Sequence, residues 1–154
     1  MFTRFVGTYP HNLDDKGRLM IPAAFRALLE GGSAYITKGF DNCLMVMTES
    51  YFNQVYERIQ AMNVADPNAR LLRRWILANA YPVETDKAGR ILIPPSLRAL
   101  LGIQNGELRV VGQGDYFEIW TPVLWQEEEE KTRDTEAVNA RLATLDLSNS
   151  TSSS

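Results

Sequence analysis

The chain contains one block of sequence twice. Residues 17–29 read GRLMIPAAFRALL and residues 89–101 read GRILIPPSLRALL, with eight of 13 positions identical at an offset of 72. A weaker match between residues 41–46 and 115–120 follows, at an offset of 74. An internal repeat constrains the fold because each copy forms the same supersecondary unit. The sequence therefore predicts two related units in one chain.

Each copy has the pattern of a β-hairpin followed by a short helix. Segments 9–13 and 18–21 predict two strands around a turn at 14–17, where Asp14 can bond its own backbone and Gly17 accepts a positive φ. Pro22 ends the second strand because it has no N–H to donate. The predicted elements that follow are a helix at 23–29, ended by Gly31-Gly32, and strands at 34–37 and 43–47. In the second copy they are a turn at 86–89, strands at 90–93, 107–111 and 116–120, and a helix at 96–101.

Helical segments separate and follow the two units. Apolar residues recur at helical spacing in 49–62 and 68–80, and Asp66-Pro67 marks the break between them. A last helix opens at Thr121-Pro122, and the Ser-rich end is typical of disorder. The expected organisation is a first unit at 1–48, a helical connector at 49–80, a second unit at 81–121, a C-terminal helix at 122–147 and a disordered tail at 148–154.

The size of each unit predicts how the two combine. A unit of about 45 residues is near the limit for folding alone, and an isolated hairpin is marginally stable. Two hairpins that interlock would bury one shared core. We therefore expect an α+β protein with a pseudo-twofold β-barrel of two interlocked hairpin units and flanking α-helices.

Composition excludes several classes of protein. The single Cys43 excludes a disulfide framework, and the single His11 leaves no histidine cluster for a metal. No apolar run approaches the length of a membrane span, and the N-terminus lacks a signal-peptide pattern. No phosphate-binding loop, dinucleotide motif or nucleophile elbow is present. We expect a soluble cytoplasmic protein that is not an enzyme, with no catalytic residues, cofactor, metal, membrane partner or small-molecule substrate.

The charge is unevenly distributed along the chain. Residues 1–121 hold three Lys and ten Arg against twelve acidic residues, whereas residues 122–154 hold seven acidic residues against three basic ones. The overall net charge of −3 thus excludes a polycation that coats nucleic acid, but not a local basic patch. Lys16 and Arg18 flank the first turn glycine, and Lys87 and Arg90 take similar places in the second. Such turns can reach into a DNA groove, where guanidinium groups bond bases or phosphates.

The same residues have plainer interpretations. A charged turn is commonly just solvated, and His11 fits a surface or structural role. Arg26 and Arg98 fit either DNA contact or ion pairs with Asp14 and Asp86. The arginines of the second connector helix fit a solvated or a subunit-contacting face; they are Arg70, Arg73 and Arg74.

The duplicated block closely resembles the MraZ family, whose units belong to the AbrB-like swapped-hairpin superfamily. The resemblance is carried by residues 14–18 (DDKGR), Ile21-Pro22 and Arg26, and again by residues 86–90 (DKAGR), Ile93-Pro94 and Arg98. It extends over essentially residues 1–145. The second turn departs from the family pattern, because Ala88 stands where the family has Lys and Lys87 lies one position earlier. The upstream basic position corresponds to His11 and, in the second unit, to Val83.

The resemblance implies a bacterial DNA-binding transcriptional regulator. It implies a repressor of a cell-division and cell-wall operon promoter, nucleoid-associated, which binds short direct repeats of double-stranded DNA as a ring-shaped homo-oligomer. The DNA-binding residues that the repeat and the resemblance together suggest are Lys16, Arg18, Lys87, Arg90, Arg26, Arg98 and His11. An alternative function is an antitoxin-like or other protein-interaction module built on the same barrel. The tail after Leu147 argues against that alternative, since it lacks apolar anchors.

Overall fold

The computed structural model describes residues 4–29 and 33–145 and divides into two compact units, one ending at Pro122 and one starting at Val123. In its described residues the first unit contains eight strands: β1 (Thr8–Leu13), β2 (Arg18–Met20), β3 (Ala34–Lys38), β4 (Leu44–Thr48), β5 (Tyr81–Val83), β6 (Arg90–Leu92), β7 (Gly106–Gly112) and β8 (Tyr116–Trp120). Its helices are α1 (Ala23–Leu29), α2 (Glu49–Gln60), α3 (Pro67–Leu72), a π-helix (Arg73–Leu77) and α4 (Pro95–Leu101).

The eight strands form one antiparallel sheet in the order β5-β3-β4-β8-β7-β1-β2-β6. The sheet curls into a nearly closed barrel. Strands β5 and β6, at the two ends of this order, are consecutive in the chain and are joined by the turn that contains Gly89. The expected barrel with flanking helices is confirmed.

The two hairpins interlock through β2 and β6. In this pairing Arg18 lies opposite Leu92, and Met20 lies opposite Arg90, as an exchange of the two repeats requires. The Ile21 N–H donates to the Gly89 carbonyl at 3.0 Å, and the Ile93 N–H donates to the Gly17 carbonyl at 2.8 Å. These reciprocal contacts confirm the pseudo-twofold relation predicted from the repeat.

Equivalent apolar residues of both repeats fill the barrel. The most deeply buried members, at 0–1% exposure, include Leu19, Ile21 and Phe25 of the first repeat and Ile91, Ile93 and Leu97 of the second. The Phe25 ring lies 5.1 Å from Phe5 and 5.2 Å from Phe117, between ring centroids. Removal of this surface from water drives the two repeats together.

A second core lies on the outer face of the sheet. Strand β4 is buried on both faces: Leu44 and Val46 belong to the barrel core, whereas Met45 and Met47 pack with Phe52 of α2. Ile59 of α2 and Ile76 of the π-helix complete this cluster. The connector helices therefore cover part of the barrel.

The second connector helix differs from the single helix predicted over 68–80. Asp66 caps α3 as expected, and Pro67 leads it. The helix then continues as a π-helix, which has wider turns, and the Ala78 N–H donates to the Arg73 carbonyl. Two tertiary hydrogen bonds lie at this widening: Thr37 Oγ1 donates to the Ile76 carbonyl at 2.7 Å, and Trp75 Nε1 donates to the Gly39 carbonyl at 2.9 Å.

Two helices occupy the described residues from Pro122 to 145, so the expectation of one continuous helix over 122–147 is wrong. They are α5 (Pro122–Glu130) and α6 (Thr135–Leu142). Asp134 starts α6, because its side chain accepts a hydrogen bond from the Ala137 N–H at 3.2 Å. The predicted helix stop at Gly31-Gly32 and the tail at 148–154 lie outside the described residues. Within those residues, every helix is too short or too polar to cross a bilayer.

Candidate nucleic-acid interface

The first turn is organised by the carboxylate of Asp14. Its Oδ1 accepts the backbone N–H groups of Lys16 and Arg18, both at 2.9 Å, and its Oδ2 accepts Arg18 Nε at 2.8 Å. Gly17 has φ +84°, a value that L side chains rarely adopt. Asp14 therefore fixes both the backbone of the turn and the side chain of its arginine.

The second turn repeats this geometry. Asp86 Oδ1 accepts the N–H groups of Ala88 and Arg90 at 2.9 Å, and Oδ2 accepts Arg90 Nε at 3.0 Å. Gly89 also has φ +84°. The two turns differ in sequence at their middle positions but share the spacing Asp-x-x-Gly-Arg, so this spacing determines the geometry.

The two turn arginines meet at one place on the surface. Arg90 Nη1 lies 3.8 Å from Asp14 Oδ2, the atom that also accepts Arg18 Nε. The side chains of Arg18 and Arg90 are 34% and 29% exposed, so neither is sealed inside by its carboxylate. The pairing of β2 with β6 thus brings together two guanidinium groups that are 72 positions apart in the sequence.

The same hydrogen bonds lower the pKa of both carboxylates. The backbone N–H of Arg18 is the largest influence that lowers the pKa of Asp14, with the Arg18 guanidinium and the Lys16 N–H adding to it. The pKa of Asp86 is lowered chiefly by the backbone N–H of Arg90, and then by the Ala88 N–H and the Arg90 guanidinium. Each arginine is thus held by a fully ionised partner.

Arg26 and Arg98 do not form the ion pairs with Asp14 and Asp86 that were one interpretation of the sequence, within the described residues. Arg26 Nε donates to the Ile21 carbonyl at 2.9 Å, and Arg98 Nε donates to the Ile93 carbonyl at 3.0 Å. Both side chains are half-buried.

The other predicted site residues are two lysines on the turns and a histidine on β1. Lys16 and Lys87 are exposed on the turns themselves. His11 lies on β1 opposite Leu108, half-buried, and its pKa is lowered first by burial and then by the charge of Arg26. Val83, at the equivalent position of the second repeat, is buried.

Two structural roles in this region were not predicted from the sequence. It did not assign Asp14 and Asp86 as the partners of Arg18 and Arg90, although the Asp-to-Arg spacing of four occurs in both repeats and was the available signal. It also missed the packing of Arg98 against Gly17, because that contact joins residues of different repeats.

Comparison with known proteins places the chain in a family. The family described as "MraZ protein, putative antitoxin-like" matches the chain twice, over residues 4–75 and 76–146. The chain belongs to the MraZ family. The two matches cover both repeats: α2 and α3 lie in the first match, α5 and α6 lie in the second, and the boundary between the matches falls within the π-helix.

Curated relatives carry the name "Transcriptional regulator MraZ". The relative from Thermomicrobium roseum is 41% identical over 142 residues, which cover 92% of this chain and 99% of that protein. That from Herpetosiphon aurantiacus is 42% identical and covers 79% of this chain and 84% of its own length. That from Dictyoglomus thermophilum is 38% identical, with 92% and 97% covered. These relatives are thus named as transcriptional regulators, which is not an enzyme class.

Proposed function

We propose that the chain is a sequence-specific DNA-binding transcriptional regulator whose reading surface is built from the two turns. The observation that carries the proposal is the convergence of Arg18 and Arg90 around Asp14 on a half-exposed surface. Lys16 and Lys87 add positive charge beside them. The names of the relatives support the same function.

Arginine is suited to this task because its planar guanidinium can bond the O6 and N7 atoms of guanine together. The Nε of Arg18 is already anchored by Asp14, which fixes the orientation of the group before DNA arrives. One good arginine–guanine pair discriminates against a wrong base by about 1–3 kcal/mol. Lysines contribute phosphate contacts and a salt-dependent affinity.

The finer form of the proposal follows the family resemblance. The DNA target is the promoter of a bacterial cell-division and cell-wall operon, bound by a nucleoid-associated repressor at short direct repeats. One protomer offers few base contacts, so a single copy binds weakly. A ring of several copies on consecutive repeats would convert weak contacts into avidity through effective concentration.

The test compares three variants in gel-shift titrations with a promoter duplex that carries direct repeats and with a scrambled duplex. Arg18→Ala is expected to abolish the preference for the promoter, a loss of roughly 10- to 100-fold. Arg18→Lys retains the charge and is expected to lose the preference while keeping the salt dependence. Arg133→Ala, an exposed arginine of the C-terminal unit, is the matched control.

Oligomer size is measured in parallel by light scattering and is expected to be the same in all variants. Retention of the promoter preference by Arg18→Ala would remove the role given to this residue. Recovery of a stoichiometric protein partner, with no preference for the promoter in the wild type, would favour the protein-interaction module instead.

A further inference from the structure

Each helix arginine reaches from its own repeat onto the turn of the other. Arg98, on α4 of the second repeat, packs against Gly17 of the first turn. Arg26, on α1 of the first repeat, packs against Gly89 of the second turn. The exchange follows the same pseudo-twofold relation as the pairing of β2 with β6.

The contacts are so close that a side chain on either glycine would displace the arginine that covers it. A Cβ placed on Gly17 would lie 2.6 Å from Arg98 Cζ and 2.7 Å from its Nε. A Cβ on Gly89 would lie 2.6 Å from Arg26 Nε and 2.7 Å from its Cζ. Each guanidinium therefore lies directly on the backbone of a turn, and both glycines are buried.

In each half of the barrel, one isoleucine forms hydrogen bonds both with the turn glycine and with the arginine that covers it. The Ile93 N–H donates to the Gly17 carbonyl at 2.8 Å, and the Ile93 carbonyl accepts Arg98 Nε at 3.0 Å. In the other half, the Ile21 N–H donates to the Gly89 carbonyl at 3.0 Å, and the Ile21 carbonyl accepts Arg26 Nε at 2.9 Å. Each turn is thus held by a strand end and an arginine of the opposite repeat.

A groove beside the first turn shows the same proximity. It has a volume of about 500 Å³, and its lining includes Asp15 of the first turn together with Arg98 and Ala99 of α4. The first turn and α4 are thus neighbours on the surface, although they belong to different repeats.

We propose that Arg98 and Arg26 are positioning residues that act across the repeats. Arg98 sets the turn that presents Lys16 and Arg18, and Arg26 sets the turn that presents Lys87 and Arg90. They act on DNA through the turns and not through phosphate contacts of their own. This inference rests on the proposed function for its effect on DNA, but its structural part is testable without DNA.

The chemistry of the contact predicts which substitution will fail. A guanidinium can donate from Nε to a carbonyl and at the same time lay its flat face on a glycine. A lysine ammonium is a compact charge on a flexible stem and cannot do both. A residue that only contacts phosphate tolerates lysine, whereas a residue that positions a turn does not.

The first experiment measures amide hydrogen exchange in the free, full-length protein. Arg98→Lys is expected to speed exchange at the Lys16 and Arg18 amides, which Asp14 holds, and to leave the Ala88 and Arg90 amides unchanged. Arg26→Lys is expected to give the reverse pattern. Faster exchange only in the variant's own repeat, or no local change, overturns the proposal.

The second experiment measures binding to promoter and scrambled duplexes over a range of salt concentrations. Arg98→Lys is expected to reduce the promoter preference about tenfold, with an unchanged salt slope. In a protein that already carries Arg18→Ala, Arg98→Lys should reduce the promoter preference little further. In a protein that carries Arg90→Ala, Arg98→Lys should cause a larger further loss. Arg133→Lys is the matched control.

The two experiments distinguish a failure of the proposed function from a failure of the positioning role. If the wild type shows no promoter preference, the proposed function fails while the exchange pattern still decides the positioning role. If Arg98→Lys proves unfolded in a thermal melt, Arg26→Lys makes the same test at the other turn. If Arg98→Lys and Arg26→Lys both show the same promoter preference as the wild type, the inference is overturned.

Discussion

Asp14 and Asp86 determine how the charged turns are built. Each carboxylate accepts two backbone N–H groups and one guanidinium Nε, so a single side chain closes the turn and orients its arginine. Such charge-assisted hydrogen bonds are stronger than neutral ones. The charge of the two aspartates therefore contributes to both stability and the shape of the surface.

This dependence predicts how stability changes with pH. The pKa of each aspartate is lower in the folded protein than its ordinary value, so the stabilising effect is present at neutral pH. The stabilising effect begins to be lost when the pH falls below about 4, the ordinary pKa of aspartate. It is lost fully once the pH has fallen through the lower pKa of the folded state. The double variant Asp14→Asn, Asp86→Asn is expected to lose less stability between neutral and acidic pH than the wild type.

Urea unfolding at pH 7, 4 and 3 measures this difference. Asp15→Asn, an exposed neighbour on the first turn, is the control and should follow the wild-type pH dependence. Equal pH slopes for the wild type and the Asp14/Asp86 variant would contradict the role of the two carboxylates.

The sequence predicted the turns better than it predicted the role of every residue in them. Asp14 and Gly17 act within five positions, and local chemistry of that kind is legible in a sequence. Arg98 acts on Gly17, which lies 81 positions away and in the other repeat. Only the pairing of β2 with β6 brings these two together, so the sequence left ion pairing and DNA contact as equal alternatives.

Among the elements, the start of α3 is the clearest case of local control. Asp66 Oδ1 accepts the Asn68 N–H at 2.8 Å, and Pro67 occupies the first helical position. Replacement of such a cap by alanine costs about 1 kcal/mol. Asp66→Ala is expected to lower the free energy of unfolding by about that amount, because an N–H group at the helix start loses its partner.

Chemical denaturation of the full chain measures this loss. Asp66→Asn retains a side-chain oxygen that can cap the helix and should stay close to the wild type. An unfolding free energy for Asp66→Ala equal to that of Asp66→Asn would show that the cap contributes nothing here.

Elements that depend on tertiary contacts were less predictable. The bounds of α1 and β8 match the sequence prediction, since each lies between strong local signals. The π-helix does not, because its hydrogen bonds with Thr37 and Gly39 come from residues more than 30 positions away. The break before α6 had a local signal in Asp134, which caps this helix, but the sequence prediction did not use it.

For the whole molecule, the repeat predicted the symmetry but not the strand order. Identical blocks 72 positions apart imply a twofold relation if the units share one core. The longest pairing in the sheet joins β1 of the first repeat to β7 of the second. Nothing in the sequence distinguishes that pairing from one within a repeat, since all these strands have similar apolar patterns.

The overall charge leads to a final prediction about affinity. The chain carries a net charge of −3, with the acidic excess in residues 122–154. A negative net charge slows and weakens the approach of DNA, which is itself an anion. The triple variant Glu127→Gln, Glu129→Gln, Glu130→Gln removes three negative charges from α5 and leaves Glu128, which pairs with Lys131 at 2.8 Å.

This variant is expected to bind promoter and scrambled duplexes alike a few-fold more tightly at about 0.01 M salt, where charges act over roughly 30 Å. The gain should shrink at about 0.15 M salt, where that distance falls to roughly 8 Å. The ratio of promoter to scrambled affinity should stay constant, because the turn residues are unchanged. The corresponding Asp variant keeps all three charges and is the control, and a gain in that variant, or a changed ratio, would show that α5 affects DNA binding by something other than charge.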